Sequence, residues 1–194
     1  MKRHLRSSGA AFVFAPDKQA SFEEAIKRYP EGRQKSAVMA GLHLAQEQQG
    51  WISEEVVDTI AARLEMPALR VWEVASFYTM YNLEPKGTYH LQVCTTTPCW
   101  LRGSDEVLKA CHAKAKAHGA SVFSVTEVEC LGGCVNAPLV QINNDFYEDL
   151  TGETTATLLD QLAAGKSVKA GSMTGRCGSA PQGYEGEKAG GDHA

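Results

Sequence analysis

The spacing of apolar residues changes rhythm once along this chain. Up to about residue 84 they recur every three or four positions, the period of helices that bury one face; from Thr88 onward they alternate as strands do, between shorter helical runs. The first region, residues 17–84, therefore predicts a small helical bundle. Ser21-Phe22-Glu23-Glu24 has the form of a capping box, and Phe22, Ile26 and Tyr29 share a face before Pro30-Glu31-Gly32 breaks the run. A second helix is predicted from Gln34 to Gln49, with Val38, Leu42 and Ala45 on its stripe and Gly50 at the left-handed cap. Ser53 caps a third, with Glu54 and Glu55 in its first turn and a stripe of Val56/Val57, Ile60/Ala61 and Leu64. Pro67 suits the first position of a fourth, carrying Val71, Val74/Ala75 and Tyr78 until Pro85-Lys86-Gly87.

In the second region, Tyr89 to Val93 alternates as a strand and delivers Cys94 at its carboxyl end. Ser104 opens a helix through Leu108, Cys111 and Ala115 to Gly119, and Ser121 to Glu129 forms the next strand, which delivers Cys130. Leu139–Ile142 and Phe146–Asp149 flank Asn143-Asn144-Asp145 as a hairpin, and Thr154 opens a last helix through Leu158, Leu159 and Leu162, stopped by Gly165. The order strand, helix, strand, hairpin, helix predicts a small mixed sheet of thioredoxin-like type. The expected fold class is α+β. A basic arm (1–16) and a helical bundle (17–86) precede the thioredoxin-like domain (87–170), and a Gly-rich tail (171–194) follows it. Seven of the tail's 24 residues are Gly, a composition expected to stay flexible unless a partner orders it.

The chemistry of the second region lies in its cysteines. Cys94 and Cys99 have four residues between them; Cys130 and Cys134, thirty residues further on, have three. Each pair can grip one metal atom from a single loop, and loops leaving neighbouring parallel strands at their carboxyl ends would bring the pairs together. Four thiolates in two short-spaced pairs are the ligand set of a [2Fe–2S] cluster. Gly132 and Gly133 would let backbone N–H groups approach sulfur, Thr95, Thr96 and Thr97 would add hydroxyl donors, and Pro98 and Pro138 would stiffen the loops. A four-cysteine structural zinc site uses the same inventory, although two-residue gaps are commoner there. Two disulfides would suit a small secreted protein. A thioredoxin-like redox enzyme would carry C-x-x-C, which does not occur. Cys111, on an apolar helix face, reads as a packed core thiol, and Cys177 as no ligand.

Composition narrows the function classes. Hydrophobic residues at 43% and charged residues at 22% describe a globular protein, and a net charge of −4 argues against nucleic-acid binding. No apolar run is long enough to cross a bilayer. Lys2, Arg3 and Arg6 precede a short apolar stretch that reads as an ordinary basic arm, or as the remnant of an organellar targeting segment. The six histidines form no ligand or base pair, no nucleotide-cradling glycine loop is present, and no catalytic dyad or triad stands out. These features describe an electron carrier without a catalytic site of its own.

Several segments carry a family resemblance: Cys94-Thr-Thr-Thr-Pro-Cys99-Trp-Leu-Arg-Gly, Glu127-Val-Glu-Cys130-Leu-Gly-Gly-Cys134-Val-Asn-Ala-Pro138 and Tyr147-Glu-Asp-Leu-Thr151. Tyr29-Pro-Glu-Gly-Arg33, Ala45–Gln48 with Gly50-Trp51-Ile52, and Glu73–Met80 agree too, as does, more weakly, Gly175-Arg176. Over about residues 20 to 170 the chain resembles the thioredoxin-like [2Fe–2S] subunit family of respiratory NADH:quinone oxidoreductase, complex I, known in the bacterial enzyme as the E subunit. It departs in small ways: the family often has Ala where Gly133 stands and Thr where Ser76 stands. The resemblance implies a [2Fe–2S] cluster on Cys94, Cys99, Cys130 and Cys134 that exchanges one electron with FMN. The FMN and the NADH would be bound by a partner flavoprotein subunit, and a large iron–sulfur subunit of the peripheral arm would be a second neighbour. It further implies a peripheral place on the cytoplasmic face of a bacterial inner membrane, or the matrix side of a mitochondrial one. Related chains serve as small diaphorase subunits of NAD-linked hydrogenases and formate dehydrogenases.

Overall fold

The computed structural model describes residues 4–178 and divides into two compact units, Met1–Lys86 and Gly87–Ala194. In the first, helices α1 (Pro16–Lys27), α2 (Val38–Gln49), α3 (Glu54–Arg63) and α4 (Ala68–Phe77) enclose a core that includes Phe22, Leu42, Ile52, Val56, Ile60 and Val71. A 3-10 turn, Gln34–Ala37, leads into α2. Gly50 takes the left-handed cap at φ 85°, and the Ser53 hydroxyl accepts from the N–H of Val56 at the start of α3. Both features are as the sequence pattern predicts.

Three local expectations change. Helix α1 begins at Pro16, so Ser21 lies in its interior and caps nothing. Proline at the first helical position lacks the N–H that would otherwise need a partner, so it starts the helix without a side-chain cap. Second, the stretch before α1 packs against the bundle. Phe12 and Phe14 are buried edge to face, 4.9 Å between ring centres, and Phe14 meets Phe22 at 5.4 Å. The arm's backbone is held as well: Gln48 bridges the Ala15 N–H and the Val13 carbonyl, and Thr59 donates to the Phe12 carbonyl. Third, α4 stops at Phe77, and Tyr29 and Tyr78 are exposed.

The second unit is built on a mixed sheet. Strand β1 (Tyr89–Cys94) and strand β2 (Phe123–Val128) are parallel, in a register that sets Cys94 beside Val128. Between them the chain forms a short helix, α5 (Thr97–Leu101), and a long one, α6 (Ser104–His118). Strand β3 (Val140–Ile142) pairs antiparallel with β1. A tight turn with Asn143 at φ 54° leads from β3 to β4 (Asp145–Glu148). Asparagine tolerates that left-handed conformation better than most residues. Helices α6 and α7 (Gly152–Ala163) share one core with the sheet, built on Leu91, Val93, Val107, Phe123, Leu158 and Leu159. Cys111 is fully buried in it, a core thiol as expected. Helix α7 starts two residues before Thr154, because Thr151 and Thr154 cap one another's N–H groups. A fifth strand, β5 (Gly171–Ser172), pairs in parallel with β4 and completes the order β2-β1-β3-β4-β5. Two of these elements go beyond the sequence pattern: α5 lies inside the first cysteine loop, and β5 stands where a flexible tail is expected. Residues 179–194 of that tail lie outside the described residues.

Candidate metal centre

Strand register places the site. Cys94 is the last residue of β1, and Cys130 follows the partner position Val128 by two residues, so both first cysteines leave the sheet at the same edge. Cys99 is brought back toward Cys94 by α5, whose Pro98 sits in the first turn and so stiffens this loop as a helix start. Cys134 opens the 3-10 turn Cys134–Asn136, which runs into a cis Ala137-Pro138 bond. Behind the site, Cys94 and Cys99 are buried in a small cluster with Ala137 and Leu139.

The two loops meet. The Thr96 hydroxyl lies 3.3 Å from Cys94 Sγ and also reaches Cys130 in the other loop. In return, the N–H of Leu131 reaches back to Cys94. Cys130 and Cys134 stand 3.3 Å apart sulfur to sulfur, too far for a bond of about 2.05 Å. Gly132, at φ 87°, turns its N–H onto Cys130 Sγ at 3.4 Å, the role expected of a glycine here. Gly133 has a different reason: a Cβ there would lie 3.2 Å from the Leu139 side chain. All six cysteines are free thiols.

Each pair divides its ionisation in the same way. Burial opposes charge on Cys94, but the hydroxyl and N–H of Thr96, with the Cys99 thiol and the Leu131 N–H, outweigh it and hold the thiol below its ordinary value. Burial and the adjacent Cys94 sulfur push Cys99 up to about 12. Likewise the Gly132 N–H and the Cys134 thiol lower Cys130, while Cys134, hydrogen-bonded to Cys130 and partly desolvated, is raised. Each pair thus sets one sulfur on which negative charge is favoured beside one thiol that donates to it. Negative charge on Cys94 is felt by the other three sulfurs, Cys99, Cys130 and Cys134.

Among the described residues no three His, Cys, Asp or Glu side chains gather around a single ion position. The fold assembles two thiol pairs, one buried and one at the surface. Outside the pairs stand exposed Trp100, Leu101 and Val135, each one or two residues from a cysteine. Sequence reasoning missed the Leu131 N–H, whose reach depends on the loop path, and the Arg176 guanidinium, which donates to the Val135 carbonyl beside Cys134 at 2.8 Å. For Arg176 the one signal was the weak Gly175-Arg176 likeness.

Fold and site together define a thioredoxin-like domain that presents paired thiols at the carboxyl edge of its parallel strands. The family model described as thioredoxin-like [2Fe-2S] ferredoxin matches residues 22–163. The E subunit of NADH-quinone oxidoreductase from Rickettsia bellii (strain RML369-C) is 49% identical over 157 residues, covering 78% of this chain and 94% of the relative. The E 1 subunit of the same enzyme from Rhizobium meliloti (strain 1021) is 45% identical over 182 residues, 90% of this chain and 66% of the relative. Among solved structures, an NAD+-reducing [NiFe]-hydrogenase in the air-oxidized state superposes with a TM-score of 0.56 over 66% of this chain and 23% of that one. At 18% identity that likeness concerns the fold alone. The chain belongs to the thioredoxin-like [2Fe–2S] ferredoxin family, together with the E subunits of NADH-quinone oxidoreductases. The donor set fits the family's cluster: free thiols in two pairs, with backbone N–H and hydroxyl donors already turned onto sulfur.

Proposed function

We propose that this chain is the electron-transfer E subunit of NADH:quinone oxidoreductase, with Cys94, Cys99, Cys130 and Cys134 holding a [2Fe–2S] cluster that exchanges one electron with the FMN of the NADH-binding partner. The observation that carries this is that both cysteine loops leave one sheet edge and touch there, with hydroxyl and backbone N–H donors turned onto Cys94 and Cys130. When bound, the cluster supplies a one-electron site whose potential depends on the protein groups around its sulfurs. Cys99 and Cys134 give up their protons on metal binding, so loading should release protons and weaken at low pH. Gly132, Thr96 and Leu131 offset negative charge on sulfur and so raise the potential above that of the bare thiolate set. Cys94 and Cys99 keep water from the inner side, and the exposed Cys130 side forms the exchange face. Trp100, Leu101 and Val135 give this face an apolar collar suited to a protein partner.

Identity of 49% across 94% of a complex I relative favours that assembly over a hydrogenase or formate dehydrogenase diaphorase. The same membership motivates a peripheral position on the cytoplasmic face of the membrane, beside the flavin subunit and the large iron–sulfur subunit. None of the described helices is long and apolar enough to cross a membrane. Anaerobic purification of the native protein with its companions tests the whole proposal. A red-brown chain with equal iron and sulfide, retained by FMN- and NADH-binding partners of a quinone reductase, is the expected result. A colourless zinc protein would overturn the cofactor, and recovery with hydrogenase or formate dehydrogenase subunits would overturn the assembly.

A further inference from the structure

The second cysteine loop has little internal support. Between Cys130 and Pro138 its backbone bonds are Asn136 N–H to the Gly133 carbonyl at 3.0 Å and Ala137 N–H to the Cys134 carbonyl at 3.4 Å. Its far end is tied to the residues after β4: the Asp149 N–H donates to the Asn136 carbonyl at 2.8 Å, the Leu150 N–H to the Pro138 carbonyl at 3.1 Å, and Asn136 Nδ2 to Glu148 at 2.7 Å. Next to Cys134 itself, the support comes from a residue 41 positions away in the sequence. Arg176 Nη2 donates to the Val135 carbonyl at 2.8 Å.

Arg176 is fixed for that task. Strand β5 pairs Ser172 with Glu148, and the Ser172 hydroxyl accepts the N–H groups of Thr174 and Arg176 at 3.2 and 3.1 Å. Asp149, at φ 54° and with a side chain 6% exposed, accepts the Ser172 hydroxyl at 2.6 Å and Arg176 Nε at 3.1 Å on both oxygens. Its Oδ1 takes Arg176 Nη2 as well. The planar guanidinium, locked on one edge by a carboxylate, has a remaining hydrogen aimed at Val135. A staple that served only the terminal segment would end at Asp149; this one continues to the residue after a cysteine.

We propose that Arg176, oriented by Asp149, is a positioning residue for the Cys130–Cys134 loop: it fixes the Val135 carbonyl so that the two sulfurs keep the spacing a shared metal centre needs. This rests on the proposed function of those cysteines. The test uses the full-length protein purified with its cluster, as wild type, Arg176→Gln and Arg176→Lys. Lys114→Gln, which breaks the unrelated Lys114–Asp160 pair, serves as control. Bleaching by an iron chelator, the midpoint potential, and amide hydrogen exchange of residues 130–138 and 171–178 are measured. Loss of one charge-assisted hydrogen bond corresponds to about tenfold, so Arg176→Gln should bleach about tenfold faster and exchange faster at 130–138. Its potential should fall, since Asp149 is left unbalanced. Arg176→Lys should recover the potential, because charge returns, but not the exchange protection, because an ammonium cannot span both acceptors. The control should match wild type. Faster exchange confined to 171–178, with wild-type bleaching and potential, would overturn the proposal. A wild-type chain without iron would instead defeat the function, and the exchange at 130–138 would still decide the clamp. If the glutamine variant does not fold, the lysine variant carries the same exchange comparison.

Discussion

At the scale of single residues, two cysteines of opposite character sit in one domain. Cys111 is buried in the α6 face, and burial pushes its thiol up to about 12, so it stays neutral and inert. Cys130 is exposed and lowered by the N–H of Gly132. Cys130→Ser should therefore bleach the protein, whereas Cys111→Ser should leave its colour and cost about 1–3 kcal/mol for a hydroxyl in an apolar site, read by denaturant titration. Equal loss of colour in both would contradict the ligand assignment. A second residue-scale test concerns the entry to β1. A Cβ at Gly87 would come within 2.7 Å of the Ala120 carbonyl oxygen and 2.9 Å of the Val122 carbonyl group. Those atoms are backbone, and the neighbouring N–H groups of Thr88 and Tyr89 already bond the Ser121 and Val122 carbonyls at 3.0 and 2.8 Å. The chain cannot move aside without losing that ladder. Gly87→Ala should cost about 1–3 kcal/mol, the range of overpacking, seen as a lower unfolding midpoint.

At the scale of elements, the start of α7 shows how a cap is read from its partners. Thr151 accepts from the Thr154 N–H at 3.1 Å, and the Thr151 N–H donates to the Thr154 hydroxyl at 2.8 Å. Thr151→Ala removes one half of this exchange and should cost about 1 kcal/mol; thermal unfolding with the cluster intact measures it. Elements with several turns and their own caps were legible in the sequence: Ser53 with α3, Gly50 after α2, and the strand–helix–strand unit that carries Cys94 and Cys130 to one edge. The misses are of one physical kind. Ser21-x-x-Glu24 imitates a helix start, but Pro16 and the burial of Phe12 and Phe14 place the start six residues earlier, with Ala15 at the cap. Helix α5 has only five residues and β5 only two, too short for any periodicity to register. Their formation depends on tertiary partners. The proximity within each cysteine pair was legible because each pair lies in one short loop, whereas the Leu131 N–H on Cys94 and the Arg176 bond to Val135 are products of the closed fold.

At the scale of the whole molecule, the carboxylates set the response to acid. Glu23, hydrogen-bonded by Arg63, and Glu47, hydrogen-bonded by Lys18, are both held below the ordinary carboxylate range, and so is Asp149 beside Arg176. A lowered folded-state pKa adds stability that is present above the unfolded value and lost as pH falls through the folded one. Both units should therefore weaken below about pH 4, the range of unfolded carboxylates. They should do so separately, because each has its own core: Phe12 to Leu83 in one, Leu91 to Leu162 in the other. Residues 1–86 and 87–194, produced as separate chains, should each fold cooperatively, with stabilities of roughly 5–10 kcal/mol for domains of this size. The first should be helical and colourless, and the second should take up iron and sulfide with the visible spectrum of the full chain. Circular dichroism of each piece, followed by reconstitution of the second, measures this. If the second piece fails to fold or to colour without the first, the helical unit is part of what holds the cysteine loops, and the two cores are not independent.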